Sequence, residues 1–362
     1  SKCSPLLKTY GLKWVSNPLR IAGNEASLRK FFKDFFYEGM ETPYSVIPDQ
    51  RLQELVISTV GDELSPDIYE IASGTTPTSF YYTFFIAIKR ADQGVHVTIP
   101  RKILERVYKE KDFMLLLSLE KGVREIFGVQ LPKIEFAWIY LITICNRTFN
   151  YEHLERNFYD QFNLWPEIDK MAEHYLMQLK IKKEHRYKLS PFIKSFFLSI
   201  KIKDSIDPVL NKDMLDILVV ISSNDTRNFD YNFSFLERYK KRLSISNNYI
   251  EDICASLTVY MAVLIDYHTP SKRIFFLLEG NHLAYQYIRV RALKLFGDKH
   301  SLVFVPIQSL TREKLDRSDI DLIVTNYTPY LSDYINNIDH LLIKEMPDER
   351  DWLNITTKIN TY

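Results

Sequence analysis

The sequence predicts a multidomain chain: two all-α bundles of five helices each, followed by a small α/β domain built on a parallel sheet. Three observations predict it. Amphipathic stripes at helical spacing, several of them opened by prolines, recur from Asn24 to Ile265. After residue 270, four short apolar runs alternate with helical or polar stretches. Ten glycines in 362 residues favour helices over hairpins.

The totals narrow the function. The 47 basic and 46 acidic side chains leave a net charge of +1, so no strong field draws these residues onto phosphate backbones. Cys3, Cys145 and Cys254 are odd in number, far apart and outside any CxxC pair, which fits a reducing compartment and gives no zinc site. The histidines at 153, 185, 300 and 340 show no ligand spacing, and neither a metal nor a cofactor is expected. No apolar run reaches the ~18 residues of a membrane span and no signal peptide opens the chain. A cytoplasmic protein without membrane contact is expected.

Taken in order, Ser1 to Ser16 read as the tail of something larger, and residues 17–25 as a short strand or hairpin arm. Asn24 can cap a helix whose stripe of Leu28, Phe31, Phe32, Phe35 and Phe36 faces a core. Helices follow from Pro48 and from Pro77, then a long one from Pro100 to about Phe127, then one from Pro132 carrying Trp138, Leu141 and Cys145. The second bundle repeats the plan, with helices from Pro166, around Phe192 to Ile200, around Met214 to Val219, over 232–243 and over 248–265. Ile134-Glu135 and Ile250-Glu251 open the last helix of each bundle, which suggests a duplicated module.

The period then changes. Ile274 to Leu278 form a continuously apolar run suited to a strand buried on both faces. Glu279-Gly280-Asn281 turn the chain into a helix with Ala284, Ile288, Ala292 and Phe296 on one face and Gly297 as a left-handed cap. Further strands are expected at 302–305, 320–324 and 341–343, and a closing helix from Pro347 to Ile359. In such a strand-loop-helix unit, the loop over the C-terminal end of the strand is where anions and nucleophiles are placed.

The chain resembles the Mga/AtxA family of virulence transcriptional regulators. The residues carrying the resemblance are Pro18-Leu19-Arg20-Ile21-Ala22-Gly23-Asn24-Glu25 with Leu28-Arg29, Ile126 to Leu131, Lys272-Arg273-Ile274, Ile320 to Asn326, and Pro347 to Trp352. Their order, more than any one motif, is what matches. The resemblance implies that residues 1–23 are the remnant of a winged-helix DNA-binding region and its connector. It implies that 24–150 and 151–268 are PTS-regulation-domain-like (PRD) helical domains, and that 271–362 resemble the phosphotransferase enzyme IIB. It further implies a non-enzymatic regulator, an activator, that contacts DNA through winged-helix domains upstream. Homodimers would form through the IIB-like domain and the second PRD-like domain, with PTS phosphocarrier proteins as further partners.

Family members are regulated by histidine phosphorylation, since imidazole is nucleophilic near neutral pH. Here the corresponding positions fall on Asp112 in the first module and Tyr260 in the second, neither of which forms a phosphohistidine. Asp112 reads either as a fixed negative charge or as a solvated helix residue beside Lys111. His96, between the third and fourth helices, is the candidate regulatory phosphorylation site, the other reading being a surface loop residue. In the IIB-like loop Gly280 stands where the family fold carries its phosphocysteine, and Glu279 beside it would repel phosphate; His282 is a substitute acceptor in principle. No catalytic residue is assigned. Tyr285, Tyr287, Tyr327 and Tyr330 are candidates for a docking surface. The competing readings are a phosphotransferase component and a protein-interaction module.

Overall fold

The computed structural model describes residues 4–37, 49–60, 77–179, 183–213, 215–268, 270–305, 319–329 and 338–360. Cys3, Pro48, Met214 and Tyr330 lie outside the described residues. The chain falls into two compact units, Ser1–Tyr267 and His268–Tyr362. Among the described residues, the first is helical apart from one hairpin, and the second carries a parallel sheet.

The helical unit opens with α1 (Ser4–Thr9) and an antiparallel hairpin of β1 (Lys13–Ser16) and β2 (Leu19–Ala22), in which Trp14 faces Ile21. Asn24 caps α2 (Glu25–Phe32), its side chain accepting the Ala26 N–H. The stripe on α2 faces the core only in part. Ala26, Leu28 and Phe31 are buried, but the chain widens into a π-turn at Lys33–Tyr37 and Phe35 and Phe36 stay exposed. A π-turn advances the helix less per residue and rotates those rings off the buried face. Phe31 and Phe35 still stack, with ring centroids 5.4 Å apart.

Next come α3 (Gln50–Val60) and α4 (Pro77–Asp92). The long helix expected from Pro100 is instead three short ones, α5 (Arg101–Val107), α6 (Lys111–Leu117) and α7 (Glu120–Phe127). The reason lies in the phase of the buried residues. Ile103 and Val107 share a face, but Phe113, Leu116 and Val123 would lie on another side of a straight helix turning by about 100° per residue, so the chain must bend to bury both sets. Gly128 then ends α7 in the left-handed region, at φ 68°, and α8 (Lys133–Ile144) crosses the core with Phe136, Trp138, Ile139 and Leu141 buried.

The later helices are α9 (Glu152–Phe162), α10 (Glu167–Gln178), α11 (Lys183–Ile206), α12 (Leu215–Asn224), α13 (Thr226–Leu243) and α14 (Ile250–His268). Helix α9 is not among those expected from the sequence; Leu154, Phe158 and Phe162 form its buried stripe, with Glu155 buried beside them. A buried hydrogen bond of 2.8 Å from Ser27 of α2 to Asp207, just past α11, ties early helices to late ones. Ile134 and Ile250 are not equivalent: Glu135 is buried and Ile134 half-exposed, whereas Ile250 is buried and Glu251 exposed. The matched dipeptides therefore differ by a position in what they bury. The helix over Asn247–His268 is also long and apolar enough to cross a membrane by length and composition, which the count of consecutive apolar residues hides. Ile253, Cys254, Leu257, Met261 and Leu264 bury its inner face against the unit, as a core helix does.

In the second unit β3 (Arg273–Leu277), β4 (Ser301–Phe304), β5 (Leu322–Thr325) and β6 (His340–Leu342) form one parallel sheet in the order β4-β3-β5-β6. The alternation of β3 splits the core in two. Ile274 and Phe276 pack with α15 (His282–Phe296) and α16 (Glu349–Asn360) through Ile288, Phe296, Trp352 and Ile355, while Phe275 and Leu277 join Ile320 and Ile323 on the other face. Full burial of an Ile or Phe is worth about 1.5–3 kcal/mol, so this stripe anchors α15. Gly297 is right-handed at φ −65°, not the left-handed cap expected: the chain continues turning, with the His300 N–H donating to the Phe296 carbonyl.

Candidate functional site

Glu135 is fully buried in the apolar helix α8 and gathers three groups around its carboxylate. Arg29 of α2 donates to both of its oxygens, Nη2 to Oε1 at 3.1 Å. The Val97 N–H donates to Oε1 at 3.3 Å, and His96 Nδ1 lies 3.2 Å from the same oxygen. Arg29 Nε also donates to Glu25 at 2.8 Å, and Arg90 of α4 donates twice to Glu25 at 2.8 Å. The result is a chain of alternating charge, Arg90–Glu25–Arg29–Glu135, ending at His96, whose side chain is 41% exposed. Burial pushes the Glu25 carboxyl up, but hydrogen bonds from Arg90 and Arg29 outweigh it and hold the group below its ordinary value. His96 is thus exposed, as a loop residue would be, and yet wired to the interior.

A second buried pair lies further along the chain. Arg147 Nε donates to Glu155 at 2.9 Å, its guanidinium 3.8 Å from the Phe158 ring centroid. Glu155 also accepts from the Thr148 N–H and hydroxyl and from the Ser195 hydroxyl. Tyr260 of α14 borders this group. Its hydroxyl donates to the Thr148 carbonyl at 2.6 Å and its ring stacks on Phe196. Burial and the nearby Glu155 charge push its phenol well above the ordinary value, so Tyr260 acts as a neutral donor. Asp112 lies elsewhere, half-buried in the first turn of α6, beside a hollow of about 300 Å³ lined by Lys109, Glu110, Lys111 and Tyr140. Burial, and then the Asp112 charge, raise the Glu110 carboxyl. The three sequence-picked residues of the helical unit therefore sit in three settings.

In the sheet unit, the loop after β3 is closed by its own side chains. Asn326 accepts the Glu279 N–H at 2.8 Å and donates to the Glu279 carbonyl at 2.7 Å. At the start of α15, Asn281 caps the Leu283 N–H, and Glu345 accepts the Asn281 N–H at 3.2 Å. Gly280 is left-handed at φ 105°, and a Cβ there would come within 2.5 Å of Glu345 Oε1. A carboxylate thus occupies the place at this helix terminus where an anion would dock. Tyr287 and Tyr327 are exposed, whereas Tyr285 is half-buried against the core.

Arg29, Glu135, Arg147 and Glu155 are residues to which the sequence alone assigned no functional role. The available signal was a charged residue inside an apolar helical face, as at Glu135 between Ile134 and Phe136.

No family model matches the chain. It is 21% identical, over 380 aligned positions, to the capsule synthesis positive regulator AcpB of Bacillus anthracis, an alignment spanning 96% of this chain and 72% of that protein.

Proposed function

We propose that this chain is the regulatory and dimerising part of a cytoplasmic transcriptional activator of the Mga/AtxA type. The observation that carries the reading is the likeness to a positive regulator through 96% of the chain, across both the helical unit and the sheet unit. DNA contact belongs to a winged-helix region that includes α1 and the β1–β2 hairpin, and the near-neutral charge of the remainder fits that division of labour.

Dimerisation is assigned to the sheet unit. Helix α15 carries a second apolar stripe opposite its buried one: Leu283, Tyr287 and Val290 are exposed at i, i+4 and i+7, Leu283 by 74%. A second copy of the chain would cover it, the sheet unit of one subunit against the later helices of its partner, and paired subunits suit paired DNA half-sites. Regulation is assigned to His96. A phosphoryl group on its ring, delivered by a PTS phosphocarrier protein, would add nearly two negative charges beside Glu135 and compete for Arg29. Glu345 at the loop after β3 favours a scaffold over a phosphotransfer centre there.

The test is genome-wide crosslinking and immunoprecipitation of the intact protein. Enrichment at a limited set of promoters is expected; occupancy no different from bulk genomic DNA would refute the proposal.

A further inference from the structure

The helical unit contains a cleft of about 570 Å³ whose walls come from α2, the end of α8, α11, α14 and the 208–213 segment. An inner recess of about 90 Å³ shares Lys30, Lys33, Cys145, Asn146, Lys203 and Leu210 with it and reaches Arg29. Among the described lining residues of the cleft are five cations, Lys30, Lys33, Arg147, Lys203 and Lys212, and one carboxylate, Asp213. Behind the wall, Lys30 pairs with Asp34 at 2.7 Å and Arg147 with Glu155. The cleft is cationic among its described residues.

Lys203 stands out. It projects from α11 into both the recess and the cleft, and no hydrogen bond or ion pair to a described residue satisfies its ammonium. Burial lowers its pKa, as does the neighbouring Lys30 charge, against opposing effects of Cys145 and Asp213. An anion entering the cleft would give this half-buried side chain a charge partner. Lys212 is held more loosely, donating to the Asp213 carbonyl at 3.1 Å and lying over the Tyr10 ring. The cleft also has apolar lining, with Phe149, Phe196, Val259 and Val263. A bare inorganic ion would leave that lining uncovered, and the volume is in the range of small-molecule sites.

We propose that this cleft binds a small organic phosphate, its dianionic group received by Lys203 with Lys30, Lys33 and Lys212 around it and its organic body against the apolar lining. A ligand seated there bridges α2 and the end of α8 to α11 and α14, and so ties the early helices to the late ones. The adjoining recess reaches Arg29, a middle member of the network that terminates at His96. The site goes beyond the regulator reading and stands without it, because binding is measured with no DNA present.

The test is calorimetric titration of the intact protein with inorganic phosphate, glucose 6-phosphate and glucose at matched ionic strength. Glucose 6-phosphate is expected to bind more tightly than phosphate, and glucose not at all. Lys203→Met is expected to weaken glucose 6-phosphate at least about tenfold, the loss of one charge-assisted contact. Lysine-selective acylation of the unaltered protein, read by peptide mass spectrometry, gives a second readout that needs no variant: glucose 6-phosphate should protect Lys203. The proposal is overturned if neither phosphate compound binds at about 10 mM, if Lys203→Met binds as well as the parent, or if Lys203 labelling ignores the ligand.

Discussion

Replacing Glu135 by Gln removes one charge from a group that is fully buried while keeping its shape. The amide oxygen can still accept the Val97 N–H, so the loss falls on Arg29. That guanidinium, 2% exposed, would keep the Val95 carbonyl at 3.4 Å but only one carboxylate, Glu25, which it already shares with Arg90. Breaking a buried pair from one side costs about 3–5 kcal/mol, because the surviving charge stays desolvated. The retained hydrogen bond and the Glu25 contact place Glu135→Gln near the lower end, about 3 kcal/mol. In a helical body of this size that lowers the melting temperature by about 6–12 °C. Urea unfolding followed by tryptophan fluorescence is a suitable assay, since the Arg29 guanidinium lies 5.7 Å from the Trp138 ring centroid. The double variant Arg29→Met with Glu135→Leu removes both charges and should be more stable than Glu135→Gln. A cost below about 1 kcal/mol, or a double variant no better than the single ones, would refute the reasoning.

Three further outcomes follow from the same geometry. Gly280→Ala forces a Cβ into a left-handed position against Glu345, so the sheet unit should lose about 1–3 kcal/mol, read as a fall in its thermal midpoint, whereas Gly94→Ala, left-handed in open space, should lose less. Glu25 has a folded-state pKa below its unfolded value. Its contribution is therefore complete above the unfolded value of about 4.3 and is lost as pH falls through the folded one, so melting curves between neutral and acidic pH should fall more steeply for the parent than for Glu25→Gln. Leu283→Glu, at a position 74% exposed, should change folding stability by no more than about 0.5 kcal/mol yet convert dimers to monomers in sedimentation.

The sheet unit was the most legible part of the sequence. A strand buried on both faces must be apolar at every position, and Ile274 to Leu278 advertise that without reference to the rest of the chain. The helical unit was legible in content but not in its bends. Nothing local between Tyr108 and Glu110 breaks a helix as proline would; only the competing demands of Val107 and Phe113 for burial do so. The charge networks were less legible still. Arg29 and Glu135 are 106 positions apart, and each taken alone reads as a solvated residue. His96 was a candidate from the family resemblance and its place between helices, but its link to Glu135 is a tertiary fact. Lys203 could not be found at all, because its setting is made by residues from several distant helices.

The most direct test of the regulator account is RNA sequencing of cells lacking the gene, complemented with the parent protein or with Leu283→Glu. A restricted set of transcripts should fall on deletion, return with the parent and stay low with the variant. An unchanged transcriptome on deletion, under conditions where the protein is made, would contradict it.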